Sequence, residues 1–84
     1  MSVCETARLA VADRMKKYGS PKDCMGRTAE YWSTYLQRPI NERDVCMLNA
    51  LQKIAREGGT PVDDNPVDIA GYMECIGLIE EEPQ

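Results

Sequence analysis

Four stretches of helical periodicity, separated by short breaks at Gly or Pro, constrain the fold of this chain more than any other feature. The first begins with a capping-box pattern formed by Ser2 and Glu5 and should run to Tyr18. The second begins at Ser20-Pro21, where serine can cap the helix and proline fits its first position, and should run to about Gln37. Both patterns predict helices of four to five turns.

The third and fourth stretches carry similar start signals. Asn41 is placed to cap a third helix, which should end at about Glu57, before two consecutive glycines. Asp64 or Asn65 is predicted to cap a fourth, with Pro66 at its first helical position. These segments predict an all-α chain: one antiparallel bundle-like domain over residues 1–84, with a loop before the fourth helix and an acidic, frayed tail from about residue 80.

Apolar stripes predict which faces are buried. The fourth helix is apolar over a wide arc, which predicts either a central position in the bundle or a place in an oligomer interface. Because 84 residues make a thin core, we predict a homo-oligomer, a dimer with the fourth helix in its interface. The stripes of the first three helices comprise Val3, Ala7, Ala10, Val11, Arg14 and Tyr18; then Cys24, Met25, Thr28, Ala29, Trp32, Tyr35 and Leu36; then Val45, Leu48, Leu51, Ile54 and Ala55.

Composition excludes several functional classes. The chain has no histidine, which removes Ser-His-Asp catalysis and every zinc site that needs histidine. No apolar run could span a membrane, and the N-terminus does not resemble a signal peptide, so we expect a cytoplasmic protein without a membrane partner. The four cysteines lack a C-x-x-C spacing and should behave as small buried hydrophobic residues, with a redox role as the alternative.

Charge is distributed unevenly along the chain. Residues 1–56 contain all ten Lys and Arg, whereas residues 57–84 contain eight acids and no base. This asymmetry favours a small anionic ligand over a nucleic acid. Charge complementarity between packed helices is an equally good explanation.

Two groups of residues could form a functional site. In the turn into the fourth helix, Asp64 and Asp68 are four residues apart and can share one helical face, as a weak Mg²⁺ site or as acids favoured by the helix dipole. The basic residues could bind phosphate or form interhelical salt bridges, and the aromatic residues could stack on a base or belong to the core. The tentative ligand site comprises Arg14, Tyr18, Arg27, Trp32, Lys53, Arg56, Asp64, Asp68 and Tyr72.

A family resemblance extends over nearly the whole chain. The early R-x-x-x-Y-G-x-P motif is followed by an aromatic residue in the second helix, then D-V-x-x-x-x-A-L-x-K-I-A-R and D-N-x-V-D-I-A-G-Y. This order looks like small uncharacterised proteins of tailed phages and prophages. That group is similar to the phage nucleotide-modification-associated domain 1 family. The motif residues are Arg14, Tyr18, Gly19, Pro21, Trp32, Asp44, Val45, Ala50, Leu51, 53–56 and 64–72.

More remotely, the chain resembles the MazG-type all-α NTP pyrophosphohydrolases. Such enzymes hold Mg²⁺ with an E-x-x-E pair on one helix and an E-x-x-D pair on the next. Here the third helix reads L-Q-K-I-A-R, and Asn65 takes the place of the first acid of the second pair, so that Asp68 alone matches. An incomplete ligand set disfavours metal-assisted pyrophosphate release.

Three functional hypotheses follow. The first is a phage-encoded helical binding protein that holds a nucleotide-like anion or a host protein without turnover. The second is a Mg²⁺-dependent enzyme of nucleotide metabolism, with Lys53 and Arg56 on phosphate. The third is a structural or protein-interaction subunit without a small-molecule site. The missing acids and histidines favour binding over catalysis, so we expect no catalytic residues and no firm cofactor.

Overall fold

Capping interactions set the starts of the first two helices. In the computed structural model, which describes residues 1–59 and 64–82, α1 spans Val3–Tyr18 and α2 spans Pro21–Leu36. The Ser2 Oγ accepts a hydrogen bond from the Glu5 amide at 3.1 Å, and the Glu5 carboxylate accepts one from the Ser2 amide, which completes the predicted capping box. Ser20 also caps α2, because its Oγ accepts a hydrogen bond from the Asp23 amide at 3.2 Å, so both predicted starts are confirmed.

The connection from α2 to α3 is fixed by side-chain hydrogen bonds. Gln37 adopts a left-handed conformation (φ 54°) at the end of α2 and stops the helix before the predicted Arg38-Pro39 break. The Ser33 hydroxyl then accepts a hydrogen bond from the Ile40 amide at 2.9 Å and donates one to the Ile40 carbonyl. This reciprocal pair aligns the chain for the cap of the next helix.

The third and fourth helices are α3, Glu42–Arg56, and α4, Asp64–Glu81. Asn41 caps α3 and forms a capping box with Asp44, in which the Asp44 amide donates to Asn41 Oδ1 at 2.8 Å. The prediction for the start of α4 was wrong by one or two residues, because Asp64 is already helical and Pro66 lies at the third position. The amides of the first helical turn have no carbonyl partner within the helix. Proline, which lacks an amide hydrogen, is therefore tolerated at the third position as well.

The acidic tail also begins later than predicted, because α4 continues to Glu81. Arg43 binds Glu80 at 2.9 Å, and the Ser20 hydroxyl donates to Glu82 at 3.2 Å, so both contacts hold the last turn of α4. Residues 60–63, which belong to the predicted loop, and residues 83–84 lie outside the described part of the chain.

Helix α4 is the central element of the fold. It packs against each of the other three helices, most extensively against α3 and α1, while α2 packs on α3 and α4. A central position was one of the two explanations for its wide apolar arc, and the packing supports it. No strand occurs in residues 1–59 or 64–82, which confirms a small all-α domain of four helices.

The core is made mainly of small side chains. The buried face predicted for α3 was wrong except for Val45, which is fully buried. The other predicted residues, Leu48, Leu51, Ile54 and Ala55, are exposed. Cys46 and Ala50 are buried instead. The prediction for the second helix was partly wrong, because Tyr35 and Leu36 are exposed, whereas Ala29 is buried as predicted. The buried hydrophobic residues are Ala7, Val11, Ala29, Val45, Cys46, Ala50, Cys75 and Ile76.

Ion pairs join the basic part of the sequence to the acidic part. Three of the four ion pairs in the described part of the chain link an acid of α4 to a base of α1 or α3: Arg8 to Glu74, Arg43 to Glu80 and Lys53 to Asp68. Charge complementarity between packed helices therefore accounts for part of the charge asymmetry in the sequence.

Candidate functional site

A cleft lies over α4 between α1 and α2. It exists because α1 packs almost entirely on α4 and makes little direct contact with α2. The cleft has a volume of about 790 Å³ and is open to solvent. That volume falls within the range of small-molecule sites. The lining includes Gly71, where an added Cβ would stand 3.6 Å from the Val11 side chain, an ordinary contact distance.

Five of the nine predicted site residues line this cleft. Arg14 and Tyr18 come from α1, Lys53 from α3, and Asp68 and Tyr72 from α4. They are up to 58 positions apart in the sequence, yet the fold brings them to one surface. This convergence gives a cleft with cationic groups and two tyrosine rings.

The other four predicted residues do not line the cleft. The Arg27 guanidinium donates a hydrogen bond to the Tyr18 carbonyl at 3.5 Å, beside the cleft. Trp32 is half-buried on α2, Arg56 is exposed at the end of α3, and Asp64 is exposed at the start of α4. Of the predicted basic and acidic site residues, only Lys53 and Asp68 form an ion pair with each other in the described part of the chain.

That ion pair is the most shielded one in the described part of the chain. Lys53 Nζ lies 3.1 Å from Asp68 Oδ2, and the two side chains are only 17% and 28% exposed. The pair connects α3 to α4 at the edge of the cleft. Because each charge neutralises the other, Lys53 contributes less positive potential to the cleft than its position alone suggests.

Arg14 is the main cation available to a ligand. No carboxylate of residues 1–59 and 64–82 lies within the 4.0 Å ion-pair distance of its guanidinium. Lys17, one turn further along α1, pairs with Asp13 at 3.5 Å on an exposed surface, where such a pair contributes little energy and opens easily. A negatively charged ligand could therefore bind Arg14 and compete with Asp13 for Lys17.

Three of the four cysteines come together beside the cleft. Cys46 and Cys75 belong to the buried core, and Cys24 lines the cleft with Cys75. Burial raises the pKa of Cys46 to about 12, with smaller contributions from Cys75 and Cys24. Burial also raises the pKa of Cys75, Glu74 adds to this rise, and Arg14 opposes it. Both core thiols are therefore poor nucleophiles at neutral pH, whereas Cys4 is exposed, contrary to prediction.

The residues present do not fit the Mg²⁺ site implied by the MazG-type resemblance. Asp68 faces the Lys53 ammonium at 3.1 Å, which is an unfavourable neighbour for a divalent cation. Asp64 does not line the cleft with it. Within residues 1–59 and 64–82, no three acidic, Cys or His side chains are grouped closely enough to hold a metal ion.

Several cleft residues were absent from the sequence prediction. These residues, which line the cleft, are Lys17, Cys24, Met25, Gly71 and Cys75. The cysteines were missed because they lie on different helices with no local spacing pattern. Lys17 was visible in the sequence, but its place at a helix C-terminus already explained a lysine there.

In the described part of the chain, no helix has both the length and the apolarity that a membrane span requires. No solved structure matches the chain significantly. The Gene 55 protein of Mycobacterium phage D29 is 41% identical to this chain over 80 residues, which is 94% of this chain and 53% of the phage protein. The chain thus spans about half the length of that relative.

The similarity to a phage protein confirms the broader part of the resemblance seen in the sequence. The more specific similarities, to nucleotide-modification proteins and to MazG-type enzymes, stay predictions. A family described as a domain of unknown function, DUF6378, matches residues 2–80. Because this match covers nearly all of the 84 residues, the chain belongs to the DUF6378 family.

Proposed function

We propose that this is a phage-encoded binding protein whose cleft holds a small, nucleotide-like anion without converting it. The observation that carries the proposal is the convergence of Arg14, Tyr18, Lys53 and Tyr72 on one cleft of about 790 Å³. Guanidinium groups bind phosphate oxygens through paired hydrogen bonds, and aromatic rings offer stacking surfaces to a base. Both parts of a nucleotide would then find suitable groups.

The charge state of the cleft favours binding over catalysis. Arg14 is positioned as an anion ligand, but Asp68 is engaged with Lys53 at 3.1 Å and is poorly placed to hold Mg²⁺. The described residues include no histidine to act as a general base at neutral pH. The groups on the cleft can therefore neutralise and orient an anion.

One observation favours a purely structural role instead. The Lys53–Asp68 pair connects α3 to α4, and ion pairs of this kind often serve only to position packed helices. Under this alternative, the protein has no small-molecule site and acts as a structural or protein-interaction subunit.

Thermal denaturation with three probes tests the proposal. The probes are ATP, inorganic pyrophosphate and adenosine, each with Mg²⁺ or with a chelator. At ten times the dissociation constant, a ligand specific for the folded state adds about 1.4 kcal/mol, which for a domain of this size raises Tm by about 5–10 °C. We expect ATP to raise Tm without Mg²⁺, and pyrophosphate and adenosine to do so less at the same concentration.

Two variants with matched chemistry locate the binding site. Arg14→Gln removes the main available cation of the cleft and should abolish the ATP-dependent rise in Tm. Arg8→Gln is the control, because Arg8 lies on the same helix, pairs with Glu74 and does not line the cleft. Its response to ATP should equal that of the wild type.

Other outcomes of these Tm measurements would support a different function. A rise in Tm that requires Mg²⁺ would support the enzyme, and no rise with any probe would support the structural subunit. Equal losses in both arginine variants would show that binding depends on overall charge and not on this cleft.

A further inference from the structure

Helix α3 has two apolar faces, one buried and one exposed. Its inner face contains Val45, Cys46 and Ala50, which are at most 4% exposed. Its outer face contains Met47, Leu48, Leu51 and Ile54, which are 39%, 42%, 54% and 52% exposed. At 100° per residue, the centres of the two groups are about 140° apart around the helix. We call the outer group the α3 stripe.

The distribution of side-chain size shows that the isolated chain covers its apolar surface poorly. Five of its eight buried hydrophobic residues are Ala or Cys, whereas thirteen larger hydrophobic residues are exposed in the described part of the chain. A small domain with so thin a core usually needs reinforcement by disulfides, by a metal or by association. All four cysteines are free thiols, so disulfides do not supply it.

The exposed area indicates how much surface a partner would have to cover. The chain exposes 6055 Å². A compact monomer of 9.4 kDa is expected to expose about 5000 Å². The excess of about 1000 Å² is close to the roughly 800 Å² that each subunit buries in a protein–protein interface of standard size. One additional copy of the chain is therefore sufficient to account for it.

We propose that two copies of this chain associate through the α3 stripe to form a symmetric dimer. A two-fold contact needs only one self-complementary surface, and the four adjacent apolar side chains of the stripe provide it. Helix α4, although apolar over a wide arc, uses that arc against α1, α2 and α3 within its own chain. The interface thus lies on the third helix and not on the fourth.

The dimer and the cleft are independent of each other. Lys53 is the α3 residue that lines the cleft, and it lies on the inner side of the helix, far around from the α3 stripe. Association through the stripe therefore leaves the cleft open in both copies. Failure of one proposal does not imply failure of the other.

Sedimentation equilibrium with two matched variants tests the dimer. We expect the wild-type chain at micromolar concentration to have about twice its 9.4 kDa mass. Leu51→Lys should reduce the mass to that of one chain. Leu9→Lys is the control, because Leu9 is 57% exposed on α1, compared with 54% for Leu51; it should remain dimeric.

A second measurement applies if Leu51→Lys does not fold. A dimer stabilises the folded chain by mass action, so the urea midpoint of the wild type should rise as protein concentration increases. A midpoint that does not change with concentration would overturn the proposal. A single-chain mass for the wild type, or a dimeric Leu51→Lys variant with intact helical circular dichroism, would overturn it as well.

Discussion

Val45→Asp is expected to leave the chain unfolded at room temperature. Val45 is fully buried on α3. A domain of this length has a total stability of about 4–13 kcal/mol. Burial of an unpaired carboxylate costs several kcal/mol, and loss of the valine side chain adds to that cost. The sum is comparable to the whole stability of the domain.

Far-UV circular dichroism and dispersion of amide proton shifts measure this effect. Val3→Asp is the matched control, because the same exchange is made at a side chain that is 45% exposed in the first turn of α1. An acid there interacts favourably with the helix dipole, so the spectrum should stay that of the wild type. A folded Val45→Asp chain would contradict the packing described for α3.

Asp68→Ala is expected to lower the free energy of unfolding by about 2–3 kcal/mol. The substitution leaves the Lys53 ammonium without its partner at a site where both side chains are largely shielded from water. Removal of one member of a fully buried pair costs about 3–5 kcal/mol, and this pair is partly accessible. Glu80→Ala is the control, since Glu80 also pairs with a base of α3, at 2.9 Å, but both side chains are about 60% exposed.

The urea midpoints of these variants distinguish a shielded pair from an exposed one. Glu80→Ala should cost less than about 1 kcal/mol. The double variant Lys53→Met/Asp68→Ala should regain most of the stability lost in Asp68→Ala, because no unpaired charge remains. Equal, small shifts in Asp68→Ala and Glu80→Ala would show that the Lys53–Asp68 pair is solvated like any surface pair.

The sequence predicted the helices well because their signals are local. Ser2 and Asn41 with their partners three residues on, and the breaks at Gly19 and Pro39, act within one turn of chain. The inner face of α3 could not be derived in the same way. Periodicity identifies an apolar stripe but does not tell whether the stripe faces the same chain or a second one, and α3 carries two of them.

The candidate cleft was partly predictable for a related reason. Arg14, Tyr18, Asp68 and Tyr72 stood out as polar or aromatic residues within helical patterns, and all four line it. The approach of three cysteines from different helices had no signal in the sequence. Such contacts depend on how helices pack, and packing is set by the whole chain rather than by any segment.

Each of the four helices carries one cysteine, and these cysteines differ in exposure. The rate at which each one is chemically labelled therefore measures how often its part of the fold opens to solvent. Cys4 is exposed, Cys24 is half-buried in the cleft, and Cys46 and Cys75 are buried. An alkylating reagent at mildly basic pH should therefore modify Cys4 first, Cys24 more slowly, and Cys46 and Cys75 only when the core opens. Mass spectrometry of the labelled chain resolves these rates.

A ligand in the cleft should slow labelling of Cys24 without changing that of Cys4. Labelling of Cys46 as fast as that of Cys4 would mean that the core opens continually.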